Sequence, residues 1–348
     1  MKIKIKNSLE IDTNKRPLII AEISGNHNGN KSLFLKHIEA ASKNGADLVK
    51  IQTYEPDDIT LNIKNSSFKI KDGIWKNNYL WDLYKKANTP YEWHFDAFKL
   101  AKRKSINLFS TPFSEKGVNF LEKLNVPIYK ISSFEITDLK LVKAIAKTKK
   151  PVIISTGMAN LNEIKRCVET IKKFHNKVII LHCISGYPTP ITDSNLETIN
   201  LIKKKFNTKF VGLSDHTNGI ETSLAATMLN VCVIEKHFII NKKIKTSDQK
   251  FSIDIKDLKE LKKKVVDFYS MKGKADFKLK KSEKESLKLR RSIYSIKDIK
   301  KNEKFNYKNI STYRPMIGLC ASKFDFVIGK KSKIDIKKFS PIYKRMLK

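Results

Sequence analysis

The stretch NVCVIEKHFII (residues 230–240) decides the fold. Its first half is a short apolar run with β-branched residues, which reads as a buried strand. Its second half carries Glu235, Lys236 and His237 in succession. A buried strand gains nothing from three adjacent ionisable groups unless they are paired or used. The stretch therefore asks for a fold in which apolar strands run towards a polar, functional end.

Working outward, similar runs recur along the first ~270 residues. They are PLIIAEI (17–23), DLVKIQT (47–53), INLFST (106–111), PIYKIS (127–132), PVIIST (151–156), VIILHC (178–183), KFVGLS (209–214) and VCVIEKHF (231–238). Most are separated by segments of helical period, such as LFLKHIEAASKNG and LNEIKRCVETIKKFH, the first ending in a helix-stop signal. The strands are apolar on both faces, as parallel strands covered by helices must be. Eight β-then-α units predict an α/β fold, a (β/α)8 TIM barrel. A doubly wound open sheet is the alternative. It would carry a glycine-rich dinucleotide turn after its first strand, and EISGNHNGN has not that spacing. A longer, aromatic-rich segment (54–91) follows the second strand. It reads either as a surface helix with an apolar stripe or as a wall over the barrel mouth.

The expected domains are a barrel over 1–270, a lysine-rich linker over 271–286 and a small β-rich domain over 287–348.

The composition gives 70 Lys+Arg against 35 Asp+Glu, a net charge of +35. Only seven of the basic residues are arginine, and the 63 lysines are dispersed. Nucleic-acid sites favour arginine forks, so no nucleic-acid partner is expected. The field would instead steer anionic substrates. No apolar run approaches the ~18 residues of a membrane span. The opening MKIKIKNSLEI lacks a signal-type apolar core. Four scattered cysteines form no Cys-x-x-Cys pair, so a reducing cytoplasm and no membrane contact are expected.

A barrel of this type carries its chemistry at the C-terminal strand ends. Those ends hold Glu22, Asn26 and His27; Lys50 and Gln52; Ser110 and Thr111; Lys130, Ser132, Ser133 and Glu135. The remaining four hold Ser155 and Thr156; His182, Ser185 and Tyr187; Ser214, Asp215 and His216; and Glu235 to His237. Thr156 and Thr217 read as helix caps. His216 and His237 end consecutive strands, which lie ~5 Å apart in a sheet. They are candidate ligands of one divalent metal, or else hydrogen-bonded core histidines. Lys50 and Lys130 fall inside apolar runs. With Thr111, Ser133, Ser155 and Ser214 they suit an anion cradle, and a Schiff-base lysine is the competing role. Glu235 shares the pleat face of His237. It either orients groups near a metal or packs the barrel interior.

The motifs EISGNHNG, VKIQTY, STPF, YKISSFEITD, ISTGMA, GLSDHT and EKHF occur in this order over nearly the whole barrel. They resemble the sialic acid synthase family, which condenses phosphoenolpyruvate with an amino-sugar to a nine-carbon ulosonic acid. The C-terminal part, RRSIYSIKDIKKNEKF to YRPMIGL, looks like that family's antifreeze-like (SAF, β-clip) domain. LWDLYKKANTPYEWH and SDQKFS look closest to the pseudaminic acid synthase branch. There the acceptor is a 2,4-diacetamido-2,4,6-trideoxy sugar, the altrose isomer. The sister branches take N-acetylmannosamine or the legionaminic precursor. An inactive barrel that binds carbohydrate or nucleic acid is the reading from a different class.

The resemblance implies that His216 and His237 bind the metal, manganese first, with magnesium or cobalt as alternatives. It implies that Lys50, Thr111, Lys130, Ser133, Ser155, Ser185 and Ser214 hold phosphoenolpyruvate. Glu22 would be the acid–base. Gln52, Glu135, Tyr187 and Asp248 would face the sugar, joined by Arg314 from the partner of a domain-swapped homodimer. Two positions depart from the family pattern: Met316 replaces a usual Gly after Arg-Pro, and Ser247 a common Pro.

Overall fold

The computed structural model describes residues 1–5 and 9–348. Three residues of the N-terminal stretch, 6–8, lie outside the described residues. The chain divides into two compact units, Met1–Gly273 and Lys274–Lys348.

The first unit opens with an antiparallel pair, β1 (Lys2–Lys4) and β2 (Glu10–Asp12). Eight strands follow: β3 (Leu18–Glu22), β4 (Leu48–Thr53), β5 (Asn107–Pro112), β6 (Tyr129–Ile131), β7 (Val152–Ser155), β8 (Val178–Cys183), β9 (Val211–Asp215) and β10 (Val233–His237). They close into a parallel barrel in sequence order, with β10 pairing β3. All eight expected strands are present, so the open-sheet alternative is excluded. Helices α1 (Lys31–Lys43), α2 (Leu80–Ala87), α3 (Tyr91–Arg103), α4 (Glu115–Lys123), α5 (Leu139–Lys147) and α6 (Leu161–Lys172) lie between strands. So do α7 (Thr198–Phe206) and α8 (Glu221–Met228), while α9 (Ile255–Lys272) follows β10.

Local chemistry sets the helix starts. Asn160 and Glu163 form a reciprocal capping box at α6, as Asp254 and Asp257 do at α9, each satisfying backbone donors the helix cannot. Thr156 and Thr217 are not caps. Thr156 Oγ1 donates to the Leu181 carbonyl at 3.1 Å, and Thr217 Oγ1 to Asp215 Oδ1 at 2.7 Å.

The period-2 alternation of a strand divides the barrel into two cores. Outward residues such as Ile19, Val49, Ile154 and Ile234 pack under the helices. Inward residues at the strand starts, Ile20, Leu48, Phe109, Ile153 and Val233, form a second cluster with Ile3 and Ile11 of the β1–β2 pair. The sequence reading assigned no structure to that pair. The inward positions then turn polar towards the strand ends: Ile20 gives way to Glu22, Leu48 to Lys50, Ile153 to Ser155, and Val233 to Glu235 and His237. One floor of the barrel is thus apolar and the next is built for chemistry.

The same alternation resolves the opening stretch. Lys236 faces the opposite way from its neighbours and pairs with Asp215 at 2.9 Å, both side chains fully buried. Asp215 also accepts from Ser223 of α8 at 2.7 Å. This pair is architecture between barrel wall and helix layer.

The second unit holds α10 (Lys284–Leu287), α11 (Phe324–Val327) and an antiparallel pair, β11 (Ser292–Ser295) with β12 (Ile310–Tyr313). Its own apolar core includes Ile293, Phe305, Val327 and Ile342. Among the described residues no helix is long and apolar enough to cross a membrane.

Candidate active site

Strand register places the polar inward residues side by side. His237 is opposite Glu22, and Glu22 is opposite Lys50. Glu235 is opposite Ser214, and Gln52 opposite Thr111. Lys50 and Lys130 are 4% and 2% exposed, and Glu22 and Glu235 are 0% and 3% exposed.

The charges are tightly interlocked. Lys50 Nζ is 2.6 Å from Glu22 Oε2 and 3.2 Å from Glu235 Oε1. Lys130 Nζ is 3.6 Å from the same Glu235 oxygen. Thr111 Oγ1 accepts from Lys50 Nζ at 3.3 Å, and Ser214 Oγ donates to Glu235 Oε1 at 3.3 Å. Glu235 therefore pairs with both lysines and also feels the charge of His216, a role that neither of its two expected forms describes. Burial raises the Glu22 carboxyl to about 7, because Lys50 is shared with Glu235. Glu235 also suffers burial, but Lys130 and Lys50 together hold it below the usual carboxylate range. Burial lowers Lys130, while the two carboxylates outweigh burial at Lys50 and raise it. At neutral pH the cluster keeps Glu235 as its firm anion.

Above these groups opens a cavity of about 500 Å³, lined among others by Lys50, Lys130, Ser155, Ser214, His216 and His237. Gln52, Ser133, Glu135, Tyr187 and Asp248 also line it. Most of the residues expected at the site thus converge. Ser155 Oγ is buried with no hydrogen-bond partner, a donor left for a ligand. Ser133 Oγ accepts from the Gly157 backbone N–H at 3.1 Å. A Cβ at Gly157 would lie 2.1 Å from Ser185 Oγ and 2.8 Å from Ser133 Oγ. Only glycine lets this backbone approach the two hydroxyls so closely. Ser185 is one step back, its Oγ 3.9 Å from Cys183 Sγ.

At the other side of the floor, the His216 and His237 rings are 5.3 Å apart between centroids. His216 Nδ1 is 2.9 Å from the Ile184 carbonyl, which fixes the ring and leaves Nε2 free. His237 Nδ1 is buried without a hydrogen-bond partner. Burial, with His216 and the lysines nearby, holds His237 well below its ordinary range, so it is neutral. Burial would lower His216, but Cys183 beside its ring and the Ile184 carbonyl outweigh burial and raise it. Both rings keep an uncommitted nitrogen, and a divalent cation that displaces the His216 proton suits the pair. Among the described residues no group of three or more His, Cys, Asp or Glu could hold a metal, so most coordination positions would fall to water or substrate. Asp248 Oδ2 lies 4.0 Å from His237 Nδ1 and accepts from the Gly25 N–H at 3.1 Å.

The Tyr187 ring lies tilted 4.6 Å from His216, and Phe251 packs edge-on 4.7 Å from His237. Trp75 packs 5.3 Å from Tyr187 and donates its indole N–H to the Ser247 carbonyl at 2.9 Å. The segment after β4 is therefore a wall of the mouth, the second of its two expected forms. Glu135 accepts from Ser132, and burial raises its carboxyl to about 7 against the pull of Lys130. Gln52 Nε2 donates to Ser24 Oγ at 3.1 Å.

Several strand-end residues are not site residues. His182 bonds the Ser194 carbonyl, and Ser110 bonds Thr53 beside His94. Asn26 ties Phe238 to Ser252, and His27 packs edge-on against Phe34 and Trp93. Arg314 is carried by the second unit and is exposed. The sequence reading gave no role to Gly157, Cys183, Trp75, Phe251 and Ser24. Period-2 phase would have found Cys183, which shares its face with Leu181. The others sit in loops, where no period operates.

Residues 37–277 match the NeuB family and residues 290–348 the SAF domain. The chain is 43% identical over 327 residues to a pseudaminic acid synthase of Campylobacter jejuni subsp. jejuni serotype O:2, covering 94% of this chain and 95% of that one. It is 38% identical over 328 residues to a pseudaminic acid synthase of Helicobacter pylori, covering 94% and 96%. A solved N-acetylneuraminic acid (sialic acid) synthetase of Leptospira borgpetersenii serovar Hardjo-bovis, in complex with citrate, superposes with a TM-score of 0.73 at 30% identity. That superposition covers 82% of this chain and 95% of the other. With a family match across most of the barrel and relatives this similar over nearly its whole length, the chain belongs to the NeuB family and carries a C-terminal SAF domain.

Proposed function

We propose that this protein is a transferase, a pseudaminic acid synthase. It condenses phosphoenolpyruvate with a 2,4-diacetamido-2,4,6-trideoxy sugar and water, giving pseudaminic acid and phosphate. The observation that carries the reaction class is one cavity whose floor holds both buried lysines and, beside them, the closely spaced histidine pair. The similarity to pseudaminic acid synthases supports the choice of sugar.

Lys50 and Lys130 face the phosphate and carboxylate of phosphoenolpyruvate and offset their charge in a water-poor floor. The hydroxyls of Ser133 and Ser155 donate to the same oxygens, and Ser214 joins them by turning its O–H from Glu235 to the ligand. Thr111 and Ser185 complete that set, Thr111 through its bond from Lys50 and Ser185 beside the Gly157 turn. His216 and His237 would hold a divalent ion, manganese in our reading, which when bound supplies Lewis acidity at the aldehyde oxygen. Carbon 3 of phosphoenolpyruvate forms the new C–C bond to the aldehyde carbon; the C=O π pair passes to the aldehyde oxygen, which becomes a hydroxyl with the proton that the added water gives up. Water adds at carbon 2, and the bond from carbon 2 to the phosphate oxygen breaks. Glu22, with its carboxyl near 7, is suited to take the proton of that water. Gln52, Glu135, Tyr187 and Asp248 orient the sugar. Arg314 would serve an acetamido group from the partner of a homodimer in the cytoplasm.

The test is phosphate release from phosphoenolpyruvate with manganese, supplying each sugar separately. Release with the trideoxy-altrose but not with N-acetylmannosamine supports the proposal. Release only with N-acetylmannosamine or the legionaminic precursor keeps the chemistry and overturns the sugar. No release with any overturns the reaction.

A further inference from the structure

The helix α2 has an unusual status in the fold. Leu80, Leu83, Tyr84 and Ala87 stand at i, i+3, i+4 and i+7, the spacing of one apolar face. Yet no residue of this helix is buried. Its face is only half covered: Tyr84 meets the buried Tyr54 ring edge-on at 6.0 Å and Ala87 lies against Gly25, while all four side chains line the active-site cavity, together with Ile59 and Ile70. The opposite face is polar and accounted for, with Asp82 paired to Lys64 and Trp81 donating to Asp57 at 2.8 Å. An amphipathic helix that turns its apolar stripe to an open cavity leaves that area to be covered by a ligand.

Continuity with the reacting floor names the ligand. The cavity that α2 walls is the one floored by Lys50, Lys130, His216 and His237. A sugar whose aldehyde end reacts at that floor extends its other end towards the wall. Polar groups on the wall are few. The Trp75 N–H is committed to Ser247, which leaves only the Tyr54 and Tyr84 hydroxyls among the aromatic side chains that reach the cavity from this segment. The aliphatic part of the wall, Ile59, Ile70, Leu80, Leu83 and Ala87, thus fits methyl groups and offers a primary hydroxyl no partner.

Resting on the proposed function, we infer that the apolar face of α2, with Ile59 and Ile70, determines acceptor specificity. It receives the methyl end of a 6-deoxy sugar and disfavours the 6-hydroxy counterpart. A hydrophobic surface separates such near-isosteres by roughly 10- to 100-fold.

The experiment measures kcat/KM for phosphate release with the 2,4-diacetamido-2,4,6-trideoxy sugar and with its 6-hydroxy analogue. The proteins are the wild type, Leu83→Asn, Ile70→Thr and the conservative Leu83→Met, each checked for wild-type melting. The wild type should prefer the deoxy sugar by at least ~10-fold. Leu83→Asn or Ile70→Thr should narrow that ratio to within about 3-fold, while Leu83→Met keeps it and the KM for phosphoenolpyruvate stays constant. A wild type without preference, or a ratio unmoved in both polar variants, overturns the inference. So does a changed oligomeric state in Leu83→Asn at constant ratio, which would assign the wall to a second copy of the chain. If no sugar releases phosphate, the proposed function fails and this inference with it; release with an unmoved ratio overturns the inference alone.

Discussion

Lys50 Nζ lies 2.6 Å from Glu22 Oε2 on adjacent barrel strands, and neither side chain is more than 5% exposed. A contact this close would ordinarily hold the carboxyl far below its usual range. It does not, because Lys50 also serves Glu235 at 3.2 Å and burial penalises a second anion. One ammonium between two carboxylates keeps one charge firmly and leaves the other near neutrality. Glu22 is thus prepared to exchange a proton in the range where an enzyme works.

Replacing Glu22 by Gln keeps the shape and removes the proton site. We expect kcat to fall by roughly 10²–10⁴, and the ascending limb of the pH profile near 7 to disappear. A Gln variant that retains that limb would exclude Glu22 as the group responsible. Stability gives an independent reading. The folded carboxyl titrates at about 7 against an ordinary 4.5, so its contribution is fully present below 4.5 and is lost as pH rises through 7. Glu22→Gln should therefore melt above the wild type at pH 8, and that gain should vanish near pH 4.5.

Phosphoenolpyruvate binding should take up protons. Burial leaves Glu22 with a carboxyl near 7. A phosphate and a carboxylate placed beside it raise it further. Calorimetric titration at pH 7.5 in buffers of different ionisation enthalpy reads the uptake directly. A binding enthalpy independent of the buffer, or a slope of the release sign, would refute the charge assignment.

How much of this was legible from sequence follows from period. The eight strands announced themselves as apolar runs between helical segments, and their ends announced a polar floor. Lys50, Lys130 and the histidine pair were visible because they interrupt those runs. Strand phase was read only for Glu235 and His237 and was not carried through to their neighbours. Without it Lys236 and Asp215 look as functional as Glu235, although they face the helix layer and bond each other. The β1–β2 pair was not recognised because three-residue strands carry too few alternations to register. Gly157 and Trp75 act through backbone approach and a loop contact 172 residues away in sequence, and neither leaves a periodic trace.

Lys236→Met tests that division of labour. Asp215 would stay buried, keeping its bonds from Thr217 and Ser223 but losing its cation. Breaking one half of a buried pair costs about 3–5 kcal/mol, and the remaining donors favour the lower end. Chemical denaturation should show this loss while the KM for phosphoenolpyruvate is unchanged. A loss below about 1 kcal/mol would remove the structural role assigned here.

Arg314 is exposed on the second unit, so its truncation leaves that unit's core untouched. If it serves the acetamido group, Arg314→Ala should raise the KM for the sugar by about 10-fold or more, the scale of one charge-assisted hydrogen bond. The KM for phosphoenolpyruvate should move little. Equal effects on both substrates would count against the assignment.

The histidine pair makes the sharpest separable claim, because metal affinity is measurable without turnover. His216 and His237 are the two groups that combine free imidazole nitrogens with closely spaced rings. His216→Ala and His237→Ala should each weaken manganese binding by at least ~100-fold, read by paramagnetic resonance of the free ion. Loss of one of only two protein ligands should exceed the 10- to 100-fold cost of losing a supporting contact. Phosphate release should fall with metal occupancy and recover partly at high manganese. Both variants should keep the wild-type fold, since neither ring forms part of the apolar floor clustered around Ile20, Leu48 and Ile153. Asp248 provides the internal control. It is 4.0 Å from His237 and held by the Gly25 N–H, so Asp248→Asn should alter sugar use more than manganese affinity. If Asp248→Asn abolishes manganese binding while either alanine variant retains it, the ligands are Asp248 and one histidine, and the pair is not the metal site.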